Sequence, residues 1–275
     1  MTFSADASGT LDVPGGTLYW ESTGRGPALV LVHAGIADHG MWDDDVPSFA
    51  GGHRVVTYDC RGFGRSRTDA VGYSSRADLA ALLDHLGIER AALLGCSRGG
   101  QIALDFALER PERVSALVLV ASGPGGMEHE GTIEEKALIE SEEPLWTAGD
   151  WAGVADLDVR LWVDGVSQPP TRVPAAVRER VRAMSLANYT AGHPEPRPIP
   201  LQPPAIDRLA EVRAPTLIIH GDLDVSAVTA GAEALELGLP GARRVLLPRV
   251  AHMVNLEQPD DFRRLVRDFL FAAGA

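Results

Sequence analysis

Short apolar runs alternate along the chain with segments in which apolar residues recur every three or four positions. Six of the runs are apolar at nearly every position, which is typical of strands buried on both faces of a parallel sheet. Alternation of such strands with helices predicts an α/β fold with right-handed crossovers. The predicted strands are 28–34, 53–60, 91–97, 116–122, 215–222 and 243–250.

The segments between these strands carry single apolar stripes. Residues 79–86 and 262–269 have leucine, valine or phenylalanine at i, i+3, i+4 and i+7, so each predicts a helix docked on the sheet. Residues 11–23 instead alternate apolar and polar positions around Gly15 and Gly16. This pattern predicts an antiparallel hairpin at the sheet edge.

The interval 123–213 lacks a predicted strand. Its helical patterns lie around 131–142, 146–164 and 173–189. The proline-rich segment 194–204 follows them, and proline at this density favours a stiff connector over a helix or a central strand.

We interpret 123–213 as a helical lid inserted into a core domain formed by residues 1–122 and 214–275. An insertion at the carboxyl ends of the strands would cover the usual ligand crevice of an open α/β sheet. The alternative is a second packing layer with no role in function.

The composition narrows the classes of function. The 275 residues carry a net charge of −13, which opposes nucleic-acid binding. The chain lacks an apolar run of membrane-spanning length and a basic-then-apolar leader, so we expect a cytoplasmic protein without membrane contact. Cys60 and Cys96 show neither a disulfide framework nor a metal-binding spacing, and we expect no metal.

A G-x-S-x-G pattern centred on Ser97 joins the predicted strand 91–97 to an amphipathic segment. Gly95 and Gly99 allow a tight turn that larger side chains would block. Amides at the start of the following helix would then face the site, where they could stabilise an oxyanion. Ser97 is therefore the candidate nucleophile.

A serine hydroxyl needs a base, and the base needs an acid to orient it. His252 follows the predicted strand 243–250, which places it at the same end of the sheet as Ser97. Asp222 and Asp224 follow the strand 215–222, and either could be the acid or a turn aspartate. His220 lies inside that strand, where a structural role is expected.

Five segments in order resemble the α/β-hydrolase superfamily, in particular its capped serine hydrolases. They are LVHAGIADHGMW (31–42), YDCRGFGRS (58–66), GCSRGG (95–100), GDLD (221–224) and AHMVNLEQP (251–259). The resemblance covers nearly the whole chain. It implies a mostly parallel eight-stranded sheet flanked by helices, with an inserted helical lid.

The resemblance also implies the roles of individual residues. The family order of nucleophile, acid and base assigns a triad of Ser97, Asp224 and His252. The family's oxyanion donors correspond to the backbone amides of Gly35 and Arg98.

Two residues at this predicted oxyanion site depart from the family pattern. Ala34 replaces a glycine that is usual in the family. Arg98 is charged where an uncharged residue is more common. For its side chain we expect an ion pair with an acid such as Asp38 or Asp105, with added charge near an anionic substrate as the alternative.

The predicted function is hydrolysis of a small or medium carboxylic ester or lactone through an acyl-enzyme, with a small-molecule substrate and no cofactor. Trp146, Trp151 and Trp162 of the lid suggest an apolar substrate pocket. Alternatives on the same triad are carbon–carbon cleavage of a β-diketone-like substrate and cofactor-free haloperoxidase or perhydrolase activity. A ligand receptor that retains the triad is the alternative of another class.

Overall fold

The computed structural model describes residues 5–194 and 197–275. Residues 1–4 belong to the N-terminal segment that was expected to lack a leader, and residues 195–196 belong to the predicted proline-rich connector. Both stretches lie outside the described residues.

A twisted central sheet forms the core and confirms the predicted α/β hydrolase fold. Eight strands form its continuous path in the order β1-β2-β4-β3-β7-β8-β10-β11, and the short β5 pairs with β2 as a ninth. All neighbours from β4 to β11 are parallel. The strands, with the separate β6–β9 pair, are β1 (Ala7–Val13), β2 (Gly16–Thr23), β3 (Ala28–Val32), β4 (Arg54–Tyr58), β5 (Arg67–Thr68), β6 (Gly72–Tyr73), β7 (Ala91–Cys96), β8 (Val114–Val120), β9 (Arg197–Pro198), β10 (Thr216–Gly221) and β11 (Arg243–Leu247).

Helices cover both faces of the sheet and fill the interval between β8 and β10. A π-helical turn, Val159–Asp164, extends α6. None of the helices in the described ranges has the length and apolar character needed to cross a membrane. The helices are α1 (Val46–Ala50), α2 (Ser75–His85), α3 (Arg98–Glu109), α4 (Ile133–Glu140), α5 (Glu142–Ala148), α6 (Trp151–Asp158), α7 (Ala175–Thr190), α8 (Ser226–Gly238), α9 (Val254–Glu257) and α10 (Pro259–Ala273).

The central strands divide their apolar side chains between two hydrophobic clusters. Leu29 and Leu31 of β3 point to the face covered by α1 and α10, whereas Val30 and Val32 point to the face covered by α2, α3 and α8. This alternation follows from the two-residue repeat of a strand. It explains why the strands are apolar at nearly every position.

The predicted hairpin is confirmed at the sheet edge, where β1 and β2 pair antiparallel around Gly15, which has a φ of 75°. The loops that follow β3, β7, β10 and β11 matter more for function. Since these strands are parallel, their carboxyl ends lie together along one side of the sheet, an edge distinct from that of the outer strands β1 and β2. That edge holds the sequence-predicted site residues.

Candidate active site

Ser97 occupies a strained turn between β7 and α3. Its φ and ψ are 53° and −117°, a conformation that a non-glycine residue adopts only when its surroundings impose it. Two hydrogen bonds to the Ser97 backbone hold this conformation. The Ser97 amide donates to the Val120 carbonyl at 2.8 Å, and the Ser122 hydroxyl donates to the Ser97 carbonyl at 2.8 Å.

The glycines beside Ser97 are required by close packing. A Cβ atom added to Gly95 would lie 2.2 Å from the Gly99 carbonyl oxygen. One added to Gly99 would lie 2.2 Å from the Val32 carbonyl oxygen. The predicted crowding at this turn is therefore confirmed. The start of α3 packs directly against the ends of β3 and β7.

Cys96, next to Ser97, is fully buried and unpaired in the described structure. Burial, reinforced by the charge of Asp224, raises the pKa of its thiol above the usual value. It therefore stays protonated and acts as packing, which leaves Ser97 as the candidate nucleophile of this turn.

The structure brings Asp224 and His252 into direct contact. The two Asp224 carboxylate oxygens lie 2.9 and 2.8 Å from His252 Nδ1. The Asp224 side chain is fully buried, and the His252 side chain is 3% exposed. Because an ionised carboxylate only accepts hydrogen bonds, Nδ1 carries the hydrogen in the neutral ring and Nε2 is left as the basic nitrogen.

Close packing of the two loops positions this pair. A Cβ atom on Gly221, the last residue of β10, would lie 2.0 Å from the Val250 carbonyl oxygen. The Leu223 amide donates to that same oxygen at 2.9 Å. Asp222 Oδ1 accepts from the Arg249 amide at 2.6 Å, so Asp222 has the turn role and Asp224 faces the histidine.

Contacts from the interval between β8 and β10 also hold His252, and sequence reasoning missed them. The Trp162 carbonyl accepts from the His252 amide at 3.2 Å, and the two rings lie 4.6 Å apart, centroid to centroid. Trp162 was predicted to contact substrate, and here it packs on the candidate base.

Arg172 and Glu257 make a second contact that sequence reasoning missed, with the loop that carries His252 (residues 248–253, the histidine loop). Arg172 donates to Glu257 at 2.6 Å and to the Arg249 carbonyl at 2.9 Å. Burial raises the Glu257 pKa, and the neighbouring Arg172 opposes that rise. Glu257 also accepts from the Ala251 amide, which fixes the residue before His252. The motif at 251–259 included Glu257, but no local pattern marked Arg172.

Ser97 lies at the same sheet edge as this pair. Among residues 5–194 and 197–275, the hydrogen bonds do not include one between the Ser97 hydroxyl and the His252 ring. The structure thus joins the predicted acid and base directly. It places the predicted nucleophile on a separate strained turn at that edge.

The two residues that carry the predicted oxyanion donors are neighbours. A Cβ atom on Gly35 would lie 3.8 Å from Arg98 Cδ. Arg98 is the first residue of α3, so its amide has no intrahelical acceptor. The loop after β3 is fixed by His33, whose Nδ1 donates to the Ala34 carbonyl at 2.7 Å and whose Nε2 accepts from the Cys60 amide at 2.9 Å.

The predicted ion pair of Arg98 with Asp38 or Asp105 is wrong. The Arg98 guanidinium lies 4.6 Å from the centre of the Phe63 ring and donates to the Tyr73 hydroxyl at 3.2 Å. Asp38 Oδ1 instead accepts from the Gly40 amide at 2.8 Å, and Asp105 faces Arg76 at 3.8 Å. Sequence spacing could not show this, because the contacts come from distant loops.

A cavity of about 600 Å³ lies beside the Gly35 loop. Its far wall is aromatic: the Trp146 and Trp151 rings meet edge to face at 4.9 Å, and Tyr189 lies 5.3 Å from Trp146. Two of the three predicted lid tryptophans therefore line this cavity. The residues lining it are Gly35, Ile36, Gly62, Phe63, Trp146, Trp151, Ser185, Asn188, Tyr189, Thr190, Gly192, His193 and Pro194.

One cluster in the described part of the chain has the donor set of a metal site. Potential ligand atoms of Asp38, His39 and Asp59 lie within 4.8 Å of one another. These atoms already bond within the protein: Asp59 accepts from His39 Nδ1 at 2.7 Å and from the Arg65 amide at 2.8 Å. Burial disfavours a charged His39, but the Asp59 carboxylate outweighs it and raises the His39 pKa. The cluster is a hydrogen-bonded contact between His39 and Asp59 that braces the loop after β3.

Comparison with known proteins decides the family. Residues 27–259 match the alpha/beta hydrolase fold family. The chain belongs to this family.

Individual relatives are hydrolases of several kinds. The chain is 32% identical to a pimeloyl-[acyl-carrier protein] methyl ester esterase of Nitrosomonas europaea, over 90% of this chain and 96% of the relative. It is 32% identical to a 2-hydroxy-6-oxononadienedioate/2-hydroxy-6-oxononatrienedioate hydrolase of Paraburkholderia phymatum, over 93% and 92%. A crystal structure of a hydrolase from Pseudomonas aeruginosa superposes with a TM-score of 0.78 at 28% identity, covering 97% of this chain and 99% of the other.

Proposed function

We propose that the chain is a serine hydrolase that cleaves a small or medium carboxylic ester or lactone through an acyl-enzyme intermediate. The observation that carries this proposal is the buried contact between His252 Nδ1 and Asp224, at the same sheet edge as the strained Ser97. A buried carboxylate on one imidazole nitrogen leaves the other nitrogen available as a base.

In the proposed reaction, His252 Nε2 takes the proton of the Ser97 hydroxyl as its oxygen attacks the substrate carbonyl. Asp224 stabilises the resulting imidazolium. His252 then gives the proton to the leaving oxygen, and a water molecule activated by the same nitrogen releases the acyl group. Contacts between catalytic serine and histidine commonly shorten when substrate binds, so we expect the Ser97–His252 hydrogen bond to form in the complex with substrate.

The backbone amides of Gly35 and Arg98 are the proposed donors to the oxyanion. The proximity of Gly35 to the Arg98 side chain and the position of Arg98 at the start of α3 support this role. The cavity of about 600 Å³ would hold the apolar part of the substrate against Trp146 and Trp151. In this proposal the interval 123–213 acts as the lid, and Trp162 helps to position His252 rather than to bind substrate.

The relatives support ester or lactone hydrolysis. The relative from Nitrosomonas europaea is named as a methyl ester esterase. A solved structure that is 26% identical over 95% of this chain is described as an N-acyl homoserine lactone degrading enzyme. An open-chain ester and a lactone present the same carbonyl chemistry to Ser97.

Carbon–carbon bond hydrolysis is the second candidate. It is favoured by the 32% identity to the relative from Paraburkholderia phymatum, which is named as a hydrolase of a 2-hydroxy-6-oxo dienedioate. The same acid–base pair could serve both reactions, since both place negative charge on a carbonyl oxygen.

The test is covalent labelling with a fluorophosphonate probe, followed by turnover of p-nitrophenyl esters of increasing chain length. We expect the wild-type protein to be labelled and to turn over the shorter esters, and Ser97→Ala to do neither. Ser8→Ala, on the exposed edge strand β1, is the matched control and should behave as wild type.

The outcomes separate the candidates. Labelling without ester turnover would favour carbon–carbon hydrolysis. Equal labelling of wild type and Ser97→Ala would show that another residue is the nucleophile and would overturn the proposal.

A further inference from the structure

The Arg98 side chain is held beside the proposed nucleophile by contacts on three sides. Its guanidinium lies on the Phe63 ring at 4.6 Å, and one amino group donates to the Tyr73 hydroxyl at 3.2 Å. Its stem passes Gly35, where an added Cβ atom would lie 3.8 Å from Arg98 Cδ, at ordinary van der Waals distance. The guanidinium is thus held by Phe63 and Tyr73, on the residue that follows Ser97 in sequence.

The charge of Arg98 has no carboxylate partner among the described residues 5–194 and 197–275. A guanidinium is always charged and offers five N–H donors, and the described structure engages one of them through Tyr73. A half-buried cation with free donors is stabilised by an anion that completes its hydrogen bonds.

Arg98 also lines a second cavity, of about 370 Å³, between α3 and the segment 198–205. Polar side chains of Arg76, Gln101 and Asp105 line the same space. Phe63, which carries the Arg98 guanidinium, lines the aromatic cavity instead. The polar and the aromatic cavities therefore meet at Arg98.

The other cation of the polar cavity, Arg76, is already matched, whereas Asp105 Oδ1 is buried without a hydrogen-bond partner among the described residues. Arg76 donates to Glu109 at 2.7 Å and faces Asp105 at 3.8 Å. This ion-pair group leaves Arg98 as the cation of that cavity without a described counter-charge. A substrate anion in that cavity would meet the side chain of the residue that follows Ser97 in sequence.

We propose that the Arg98 side chain binds a free carboxylate of the substrate, so that the substrate class is the monoester of a dicarboxylic acid or an equivalent ester bearing one carboxylate. The planar guanidinium can bind a carboxylate through two parallel hydrogen bonds. The assignment rests on the proposed function of Ser97. It adds the specificity that the hydrolase chemistry alone does not supply.

The test compares two esters of equal chain length that differ in one terminal charge. The anionic member is the mono-p-nitrophenyl ester of adipic acid, and the neutral member is p-nitrophenyl hexanoate. We expect the ratio of kcat/KM, anionic to neutral, to fall about 10- to 100-fold in Arg98→Met. Using the ratio cancels any effect of the substitution on the adjacent oxyanion donor.

Two further variants define the role. Arg98→Lys keeps the charge but loses the planar fork, and we expect a smaller fall in the ratio. It also keeps the test decisive if Arg98→Met does not fold. Arg264→Met removes an exposed arginine of α10 and should leave the ratio unchanged. An unchanged ratio in the folded Arg98 variants would overturn the proposal.

A binding measurement separates this proposal from the proposed function. Calorimetric titration of Ser97→Ala and of Ser97→Ala/Arg98→Met with the same two esters reports affinity without chemistry. Weaker binding of the anionic ester alone in the double variant supports the carboxylate role, even if the wild type hydrolyses neither ester. Absent or equal binding of the two esters by Ser97→Ala would overturn it.

Discussion

The sheet core and the helical interval 123–213 are stabilised in different ways. The strands β3, β7, β8 and β10 are almost wholly buried, and glycines set the approach of backbone to backbone at their ends. The interval exposes large apolar side chains, among them Ile133 at 82% and Trp146 at 45%. The interval also buries apolar side chains such as Val163 and Val181 in the cluster that covers one face of the sheet, and it adds polar contacts to the core.

Those polar contacts fall on the loops that carry the site. Glu135 accepts from the Ser226 amide at 2.6 Å and from its hydroxyl, two residues after Asp224. Asn188 donates to the Ala37 carbonyl at 3.1 Å in the loop that follows Gly35. Arg172 reaches the histidine loop. Hence the core determines where the loops of the candidate site begin, and the interval holds their ends.

The largest expected effect tests the packing of the core. Gly99→Ala should destabilise the fold by more than about 3 kcal/mol, because its Cβ would lie 2.2 Å from a backbone oxygen that cannot move alone. Gly149→Ala, in the interval, has a φ of 66° and open space around it, and should cost only about 1 to 2 kcal/mol.

Urea unfolding of the two glycine variants would measure the difference. Equal losses in both would mean that the turn at Ser97 tolerates a side chain and that close packing does not distinguish the core.

A middle-sized effect is expected where the interval holds the histidine loop. Arg172→Met should cost about 2 to 3 kcal/mol, because it leaves Glu257 buried without its counter-charge. Since burial already raises the Glu257 pKa, part of this loss should be recovered as the pH falls and the carboxyl takes a proton. The variant should also lower kcat through the loosened His252.

The matched control for Arg172 is Arg182→Met, which removes an exposed pair with Asp156 and should cost less than about 0.5 kcal/mol. Thermal unfolding between pH 5 and 8 would measure both variants. A loss for Arg172→Met that grows as the pH falls would contradict the role given to Glu257.

The smallest effect concerns the contact between Glu135 and α8. The N-terminus of α8 has no side-chain cap from its own segment. Glu135 of α4 caps it by accepting from the Ser226 amide. Burial raises the Glu135 pKa, but hydrogen bonds from Ser226 and Thr132 outweigh it, and the pKa lies below its usual 4.5. Glu135→Gln should cost about 1 kcal/mol at neutral pH.

The pH dependence of that cost follows from the lowered pKa. The stabilisation is present above pH 4.5 and is lost as the pH falls through the folded-state pKa, so wild type and Glu135→Gln should converge in acid. Glu134→Gln, on the exposed neighbour, should match wild type at every pH. A constant difference between wild type and Glu135→Gln down to pH 3 would exclude the ionic cap.

Sequence alone predicted most of the core and the identity of the candidate site residues. The strands, the edge hairpin and the tight turn at Ser97 depend on neighbours in sequence and on steric limits of glycine. The triad and oxyanion assignments remain predictions that the labelling experiment tests. The ion pair of Arg98 was wrongly predicted, because the sequence offers several acids that could have paired with it.

The amino-acid sequence by itself determined the α/β fold and the sheet edge at which Ser97, Asp224 and His252 lie, since strand periodicity and chain order decide both. Only the tertiary structure decided that Asp222 accepts from the Arg249 amide, that Trp162 and Arg172 hold the histidine loop, and that Arg98 lies on Phe63. The physical reason is the long separation of the contacting residues along the chain. These contacts join residues far apart in sequence, and their free energy exists only once the helical interval has packed against the core.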